Sequence, residues 1–199
     1  MAYFIGHDLG TGGNKTVLVN ERGQVFSSHI ERYPLHHPAP LRVEQEPEDW
    51  WRAVCAGTRE VLARANVPAS ELAGMAFAGQ MLTLVPLDRA GAPTRRALSW
   101  LDARAGDEAR RIVRRLGGER VVELLAGGSP SGKDLVAKVA WLAAHEPETH
   151  AKTAAYGDAT SFLVARATGE LSLDVTAAGA TGLLDVQTRR WSRLLSLSD

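Results

Sequence analysis

Cysteine is almost absent from the chain, which carries only Cys55 among its 199 residues. An internal disulfide framework is therefore excluded, and a cytoplasmic location is the expectation. An excess of charge of either sign is also absent, because 23 basic residues balance 23 acidic ones. The balance gives no reason to expect nucleic acid or a membrane surface as the partner.

Long apolar runs are missing as well, and those present are too short to span a bilayer. The first residues lead directly into a strand pattern rather than a signal peptide. No internal repeat and no low-complexity segment is found. The length suits one domain with a real core, or one domain and part of a second.

Strand patterns come first along the chain, and helix and strand patterns follow. A β-meander is predicted at 3–5, 15–19 and 24–33, a proline-broken loop at 34–47 and a helix at 46–66. Two strands are predicted at 72–80 and 82–88, helices at 102–125, 135–148 and 156–170, and strands with a turn at 171–192. This order predicts an α/β fold.

The segment FIGHDLGTGGNKTVLVNERG, residues 4–23, is rich in glycine and fails two familiar phosphate motifs. The dinucleotide fingerprint G-x-G-x-x-G is met by Gly10 and Gly12, but Lys15 stands at the third glycine position. The Walker A loop requires glycine before its lysine, where this chain has Asn14. Both motifs also require a helix next, and here a strand follows.

What remains is a hairpin in which Asp8, a glycine-rich turn and Lys15 lie between two strands. Glycines let backbone N–H groups approach an anion and adopt positive φ, and Thr11 and Asn14 can add donors. Asp8 would repel a phosphate unless Mg²⁺ or its water shell lay between them. The alternative is a plain glycine-rich hairpin that binds nothing.

A second loop, residues 127–134, meets the Walker A pattern except at its last letter. Asp134 stands where a serine or threonine hydroxyl would bind the metal, and it would repel the phosphates. A strand could precede this loop at 120–126. A P-loop nucleotide-binding domain therefore remains a rival interpretation.

The hairpin sequence resembles the phosphate-binding hairpin of the FGGY family of carbohydrate kinases, relatives of actin, hexokinase and heat-shock ATPases. Four further segments resemble that family, and xylulokinases most, in the same order along the chain. They are VEQEPEDWWRAV, MAFAGQMLTLVPLDRAGAPTRRALSWLDAR, KVAWLAAHEPE and GDATSFLVARATGELSLDVTAAGATGLLDVQTRRWS.

The resemblance implies a ribonuclease H-like domain that transfers the γ-phosphoryl group of ATP to a sugar hydroxyl, with Mg²⁺ as cofactor. It puts Asp8 near Mg²⁺ and the phosphates as the catalytic and metal residue. The phosphate cradle would comprise Gly10, Thr11, Gly12, Gly13, Asn14 and Lys15. A small-molecule sugar would lie against Gln80, Met81, Trp100, Asp102 and Arg104, which offer polar groups and an apolar wall.

Three departures from the family pattern bear on this reading. Leu82 stands where xylulokinases carry histidine, and Leu135 stands three residues before Lys138, where proline, serine or threonine is usual. Family members are about twice as long or more, and their general base lies beyond residue 199. We therefore expect a truncated N-terminal domain that lacks the second domain, with a catalytically inactive binding module as the alternative. An incomplete domain should expose an apolar face and self-associate, so a homo-oligomer is possible.

Several other polar and aromatic residues have a simpler reading than chemistry. His7 should face away from the phosphate side, because strand neighbours point to opposite faces. No third ligand lies at useful spacing from His36 and His37. We expect helix packing from Trp50 and Trp51, a cap or turn from Asp158 and Asp174, and a solvated or ion-paired state for Lys138.

Overall fold

The structure is a computed structural model that describes residues 1–126, 130–185 and 188–191. Its strands are β1 (Tyr3–Leu9), β2 (Gly13–Asn20), β3 (Val25–Arg32), β4 (His36–Ala39), β5 (Arg42–Gln45), β6 (Leu72–Gly79), β7 (Val85–Leu87), β8 (Ala97–Leu98), β9 (Ala155–Gly157), β10 (Leu184–Asp185) and β11 (Arg190–Trp191). Its helices are α1 (Pro47–Ala65), α2 (Gly106–Arg115), α3 (Glu119–Ala126), α4 (Leu135–His145), α5 (Pro147–Lys152), α6 (Ala159–Thr168) and α7 (Val175–Ala180).

The main sheet has the strand order β3-β2-β1-β6. The first three strands form the predicted antiparallel meander, and β6 pairs with β1 in parallel. The parallel pairing requires a crossover, which α1 provides. Residues alternate along β1 between a face covered by helices and an open face.

Helix α1 begins and ends as its sequence predicts. Pro47 occupies the first turn, and the acidic Glu48 and Asp49 favour the positive end of the helix dipole. Asn66 ends the helix in the left-handed conformation with φ of 53°. The helix lies very close to the sheet at Gly57, where an added Cβ would come within 2.2 Å of Thr16 Oγ1.

Residues 34–47 are not the plain loop that the prolines suggested. They contain the hairpin β4–β5, and β5 pairs with β8 through Glu44↔Leu98 and Gln45↔Ala97. Pro38 is tolerated because β4 lies at the edge of this small sheet. The hairpin brings the end of β5 beside the residues that follow β8.

The later helices depart from the prediction in three places. Residues 102–125 form two helices rather than one, because Gly117 and Gly118 both have φ of 97° and interrupt the path. The segment 120–126 lies in helix α3, so the strand expected before the second glycine–lysine loop is absent there. Residues 175–180 form α7 instead of a strand, while β10 and β11 form the predicted closing strand pair. Residue 192 lies outside the described residues.

The core lies between the helix-covered face of the main sheet and the helices. Leu9, Trp50 of α1 and Phe162 of α6 meet in one buried cluster, with the two aromatic rings edge-on at 6.1 Å between centroids. A second cluster joins α2 and α4 to Leu84 and Leu98. The core therefore supports the carboxyl ends of β1 and β6 from one side, and no helix among the described residues covers the other face of the sheet.

Candidate phosphate and sugar site

The hairpin β1–β2 presents two opposite charges on the open face of the sheet. Asp8 and Lys15 are paired directly across the two strands, and both side chains are exposed. Together with Gly6, Ala76 and Ala78 they line a shallow groove of about 360 Å³. The small side chains leave room above the carboxylate and the ammonium group.

Hydrogen bonds at Gly10 fix the turn of this hairpin, whereas the N–H groups at its tip are open. The Gly10 N–H donates to the Gly13 carbonyl at 3.0 Å, and the Tyr33 hydroxyl donates to the Gly10 carbonyl at 2.5 Å. Burial and the charge of Asp8 raise the pKa of Tyr33, so the hydroxyl keeps its proton. No acceptor in the described part of the chain pairs with the backbone N–H of Thr11 or Gly12. Two N–H groups at the tip are therefore available to an anion.

The glycines of the turn serve close approach rather than unusual backbone angles. None of Gly10, Gly12 and Gly13 has positive φ, contrary to the expectation from the sequence. A Cβ on Gly13 would lie 2.8 Å from the Glu31 carbonyl oxygen, whereas a Cβ on Gly12 would meet no atom within 4 Å. Gly13 is thus required by the neighbouring strand, and Gly12 leaves the tip bare.

The opposite face of the hairpin holds a buried polar cluster. As predicted, His7 points away from Asp8, and its Nδ1 lies 3.1 Å from Asn14 Nδ2 and its Nε2 3.3 Å from Thr58 Oγ1. Because Asn14 Nδ2 donates, Nδ1 accepts and the ring proton is on Nε2. Burial lowers the pKa of His7 to about 4, so the ring is neutral at pH 7.

Asn14 requires a correction as a phosphate ligand. Its side chain is fully buried on the helix-covered face, where Nδ2 also donates to Thr16 Oγ1 at 3.0 Å. The alternation of β2 puts it on the face opposite to Lys15. The Asn14 side chain therefore cannot add a donor to the phosphate side.

A chain of hydrogen bonds connects the turn to two of the expected sugar-side residues. Gln45 Nε2 donates to the Thr11 carbonyl at 2.8 Å, and Gln80 Nε2 donates to Gln45 Oε1 at 2.6 Å. The indole N–H of Trp100 donates to Thr11 Oγ1 at 3.0 Å. Met81 follows Gln80 and is half exposed. The structure thus brings Thr11, Gln80 and Trp100 together at the carboxyl ends of β1, β6 and β8.

Gln45 and Tyr33 were missed as site residues by sequence reasoning. Gln45 belongs to the EQ-x-P segment that contributed to the family resemblance, but no chemistry had been assigned to it. Its position beside Thr11 depends on the pairing of β5 with β8. The prolines in residues 34–47 predicted a loop there, so this pairing was not expected. Tyr33 directly follows β3. The antiparallel pairing of β3 with β2 brings its hydroxyl to the Gly10 carbonyl.

Asp102 and Arg104 also require correction, since neither side chain is free to contact a sugar. Asp102 is fully buried and accepts hydrogen bonds from the Val43 N–H at 2.7 Å and from Arg104. The Arg104 side chain is 4% exposed, pairs with Glu44 as well, and stacks over Trp141. The pair supports the turn that carries Trp100 rather than facing the open site.

Lys138 is buried, not solvated or ion-paired as expected. Its Nζ donates to the carbonyls of Leu82 at 2.7 Å and Ser99 at 2.8 Å. Burial lowers the pKa of Lys138 to about 8, while the nearby Asp102 opposes that shift. The ammonium group connects the segment after Gln80 and Met81 to the segment that carries Trp100.

The other predicted residues have structural surroundings. Trp50 is buried and Trp51 packs beside it, while Asp158 and Asp174 cap α6 and α7. Lys133 is exposed, and Asp134 accepts from the Ser131 N–H and hydroxyl; Gly127 and Gly128 lie outside the described residues. In the described ranges no group of three His, Cys, Asp or Glu side chains could hold a metal ion, and no helix could cross a membrane.

The fold and the hairpin define the class of protein. The structure has the ribonuclease H-like α/β architecture of the actin and hexokinase ATPases. A xyloylose kinase from Brucella ovis superposes with a TM-score of 0.89 and 25% identity, over 97% of this chain and 40% of that one. A xylulose kinase from Rhodospirillum rubrum gives a TM-score of 0.89 and 25% identity, over 97% and 39% of the two chains.

The sequence comparisons then identify the family. Residues 3–197 match the FGGY family of carbohydrate kinases, N-terminal domain, and the chain belongs to that family. It is 33% identical to the xylulose kinase of Bacillus subtilis over 96% of this chain and 38% of that protein. A glycerol kinase from Polaromonas is 29% identical over 99% and 41%. The chain spans about two fifths of the length of these relatives.

Proposed function

We propose that this chain is the N-terminal part of an ATP- and Mg²⁺-dependent kinase that phosphorylates a hydroxyl of a small sugar. The observation that carries the proposal is the open turn that follows Asp8 in the β1–β2 hairpin. Its Thr11 and Gly12 N–H groups have no acceptor among the described residues, and the Thr11 hydroxyl accepts a hydrogen bond from the indole N–H of Trp100. Family membership supports the reaction class. The further length of the relatives would supply the rest of the cleft and the general base.

The phosphate side would act mainly by positioning and by neutralising charge. The N–H groups of Thr11 and Gly12 would cradle the phosphate oxygens, and Lys15 would add a positive charge beside them. Asp8 would hold Mg²⁺, which fits a single exposed carboxylate because Mg²⁺ keeps several waters and binds substrate phosphates. When bound, Mg²⁺ supplies charge neutralisation at the transferred phosphoryl group.

The sugar side would combine an apolar wall with one polar group. Trp100 is 39% exposed and Met81 51% exposed, so both can cover a sugar ring. Gln80 can hydrogen-bond a hydroxyl. Leu82 packs toward the α2–α4 cluster and offers no side-chain hydrogen bond. The xylulose kinase relatives favour a ketopentose, with other sugars and polyols as the competing substrates.

The test is sugar-dependent ADP release, run alongside sugar binding. Purified chain receives Mg-ATP with ketopentoses, aldoses and polyols, and the indole N–H resonance of Trp100 is followed by NMR in the same mixtures. We expect a ketopentose to shift that resonance saturably, and any ADP release to disappear in Asp8→Ala. The proposal fails if no sugar perturbs Trp100, or if Asp8→Ala releases ADP as fast as the parent chain.

A further inference from the structure

Gln45 is a fully buried amide at the junction of the two half-sites, and the mechanism proposed above does not use it. It ends strand β5 and is fixed laterally by its pairing with Ala97 of β8. The next residues begin α1, so its backbone is held by a strand on one side and a helix on the other. A glutamine buried so completely must satisfy both ends of its amide.

The partners of Gln45 leave only one orientation for its amide group. A backbone carbonyl accepts and cannot donate, so the Thr11 carbonyl at 2.8 Å requires the Nε2 end of Gln45. The Oε1 end then faces Gln80, which must present its own Nε2 at 2.6 Å. The carbonyl of Thr11 thus sets the orientation of two successive side-chain amides.

The consequence appears at the far end of this relay. Gln80 Oε1 is buried and has no hydrogen-bond partner among the described residues. An unpaired buried acceptor of this kind destabilises the folded protein unless a donor reaches it. The Gln80 amide therefore has an acceptor that lacks a donor, next in the chain to the half-exposed Met81, and a sugar hydroxyl is a donor of the kind it lacks.

We infer that Gln45 is a positioning residue, which orients the Gln80 amide toward a sugar hydroxyl and fixes the phosphate-binding turn at Thr11 relative to it. The inference rests on the proposed function for its ligands. It deepens that proposal by identifying the group that couples phosphate and sugar sides. Gln45 itself, being fully enclosed, touches neither ligand.

A merely structural Gln45 would behave differently from a positioning one. A structural amide changes the free energy of unfolding when it is removed but leaves the ligand preferences of the folded protein unchanged. A positioning amide changes Gln80 in the folded protein and weakens the sugar more than the nucleotide. The two roles are therefore separated by measurements on folded variants.

The first measurement needs no ligand. Gln45→Met keeps the shape but loses both hydrogen bonds, and Gln45→Glu keeps an acceptor for Gln80 but cannot donate to Thr11. The side-chain amide resonances of Gln80 are compared in both variants, in the parent and in Gln24→Met, an exposed glutamine in the β2–β3 turn. We expect displaced Gln80 resonances in both Gln45 variants only. Unchanged resonances in folded Gln45→Met overturn the relay.

The second measurement separates the half-sites by affinity. In Gln45→Met we expect about a tenfold loss of ketopentose affinity, the equivalent of roughly one hydrogen bond, and less than about a threefold change for Mg-ATP. Equal losses for both ligands, or no loss beyond Gln24→Met, overturn the inference. If the parent chain binds neither ligand, the proposed function fails, whereas the ligand-free comparison still decides whether Gln45 orients Gln80.

Discussion

At the scale of single residues, the two faces of the β1–β2 hairpin have opposite chemistry because strand neighbours point to opposite sides. Asp8 and Lys15 are exposed on the open face, whereas His7, Asn14 and Thr16 are enclosed under α1. The buried cluster holds the hairpin to the helix without charge, because His7 is neutral. A proton added to His7 would bring its Nδ1–H against the Asn14 amide N–H.

This arrangement predicts a specific acid sensitivity. Burial holds the pKa of His7 at about 4, below its unfolded value of 6.5, so the unfolded chain binds the extra proton between these limits. The free energy of unfolding should therefore fall as the pH drops from 6.5 toward 4, by about 2 kcal/mol at pH 5. Urea unfolding at several pH values measures the slope. His7→Gln should flatten it, and an unchanged slope would contradict the assignment.

At the scale of elements, close backbone approach shapes the hairpin more than backbone flexibility does. Gly13 is pressed against the Glu31 carbonyl of β3, and Gly12 stands free at the tip. The two glycines are adjacent, so they form a natural pair for separating folding from binding.

Gly13→Ala should destabilise the protein by at least about 2 kcal/mol, because its Cβ meets a backbone oxygen that cannot move aside. Gly12→Ala should leave the free energy of unfolding almost unchanged, yet weaken Mg-ATP by covering the open turn. Urea unfolding and a nucleotide titration of each variant provide the check. Equal destabilisation by the two variants would contradict the account.

Lys138 of helix α4 donates hydrogen bonds to the carbonyls of Leu82 and Ser99, which adjoin the proposed sugar residues Met81 and Trp100. Lys138→Met leaves the Leu82 carbonyl unpaired and removes one of the two donors to the Ser99 carbonyl, which keeps the Asp102 N–H. It should cost about 1–3 kcal/mol of unfolding free energy. The exposed Lys133, just before the same helix, is the matched control, and Lys133→Met should change it by less than about 0.5 kcal/mol. Denaturant unfolding measures both variants. A similar loss of unfolding free energy in Lys138→Met and Lys133→Met would show that the buried hydrogen bonds of Lys138 do not stabilise the fold.

Much of the element pattern could be predicted because it is local. The meander, α1 and the end of α6 at Gly169 follow from strand alternation, Pro47 and a left-handed glycine. The β4–β5 hairpin could not be predicted in this way, because its pairing with β8 is a long-range contact and the prolines in the segment favour a loop. The sugar contacts predicted for Asp102 and Arg104 were wrong because their surroundings also depend on long-range contacts. Sequence identifies Asp102 and Arg104 as polar, but only their pairing shows that they satisfy each other.

At the scale of the whole molecule, the helices in the described part of the chain cover one face of the main sheet and leave its other face exposed. Among the described strands none pairs with the outer edge of β6, and the open face carries the exposed apolar Phe4 and Ile30. An unpaired edge beside an apolar surface favours association between chains. Self-association, which the sequence led us to expect, remains a prediction, and the outer edge of β6 is the surface where we expect it.

Sedimentation from about 10 to about 200 µM should reveal concentration-dependent association of the chain. Met75→Lys places a charge on β6 and should reduce it. Val175→Lys, at an exposed apolar residue of α7, should not reduce it. A monomer across the whole range, or equal effects of the two lysines, would argue against the β6 edge.

The central claim is that the β1–β2 turn, and not the second glycine–lysine loop, binds the phosphates. A ¹⁵N NMR titration with Mg-ATP compares the chemical-shift changes of the Thr11 and Gly12 backbone amides with those of Gly132 and Lys133. The account predicts saturable shifts at Thr11 and Gly12, weakened by Asp8→Asn. Shifts centred on Gly132 and Lys133, or no saturable shift up to about 10 mM nucleotide, would contradict it.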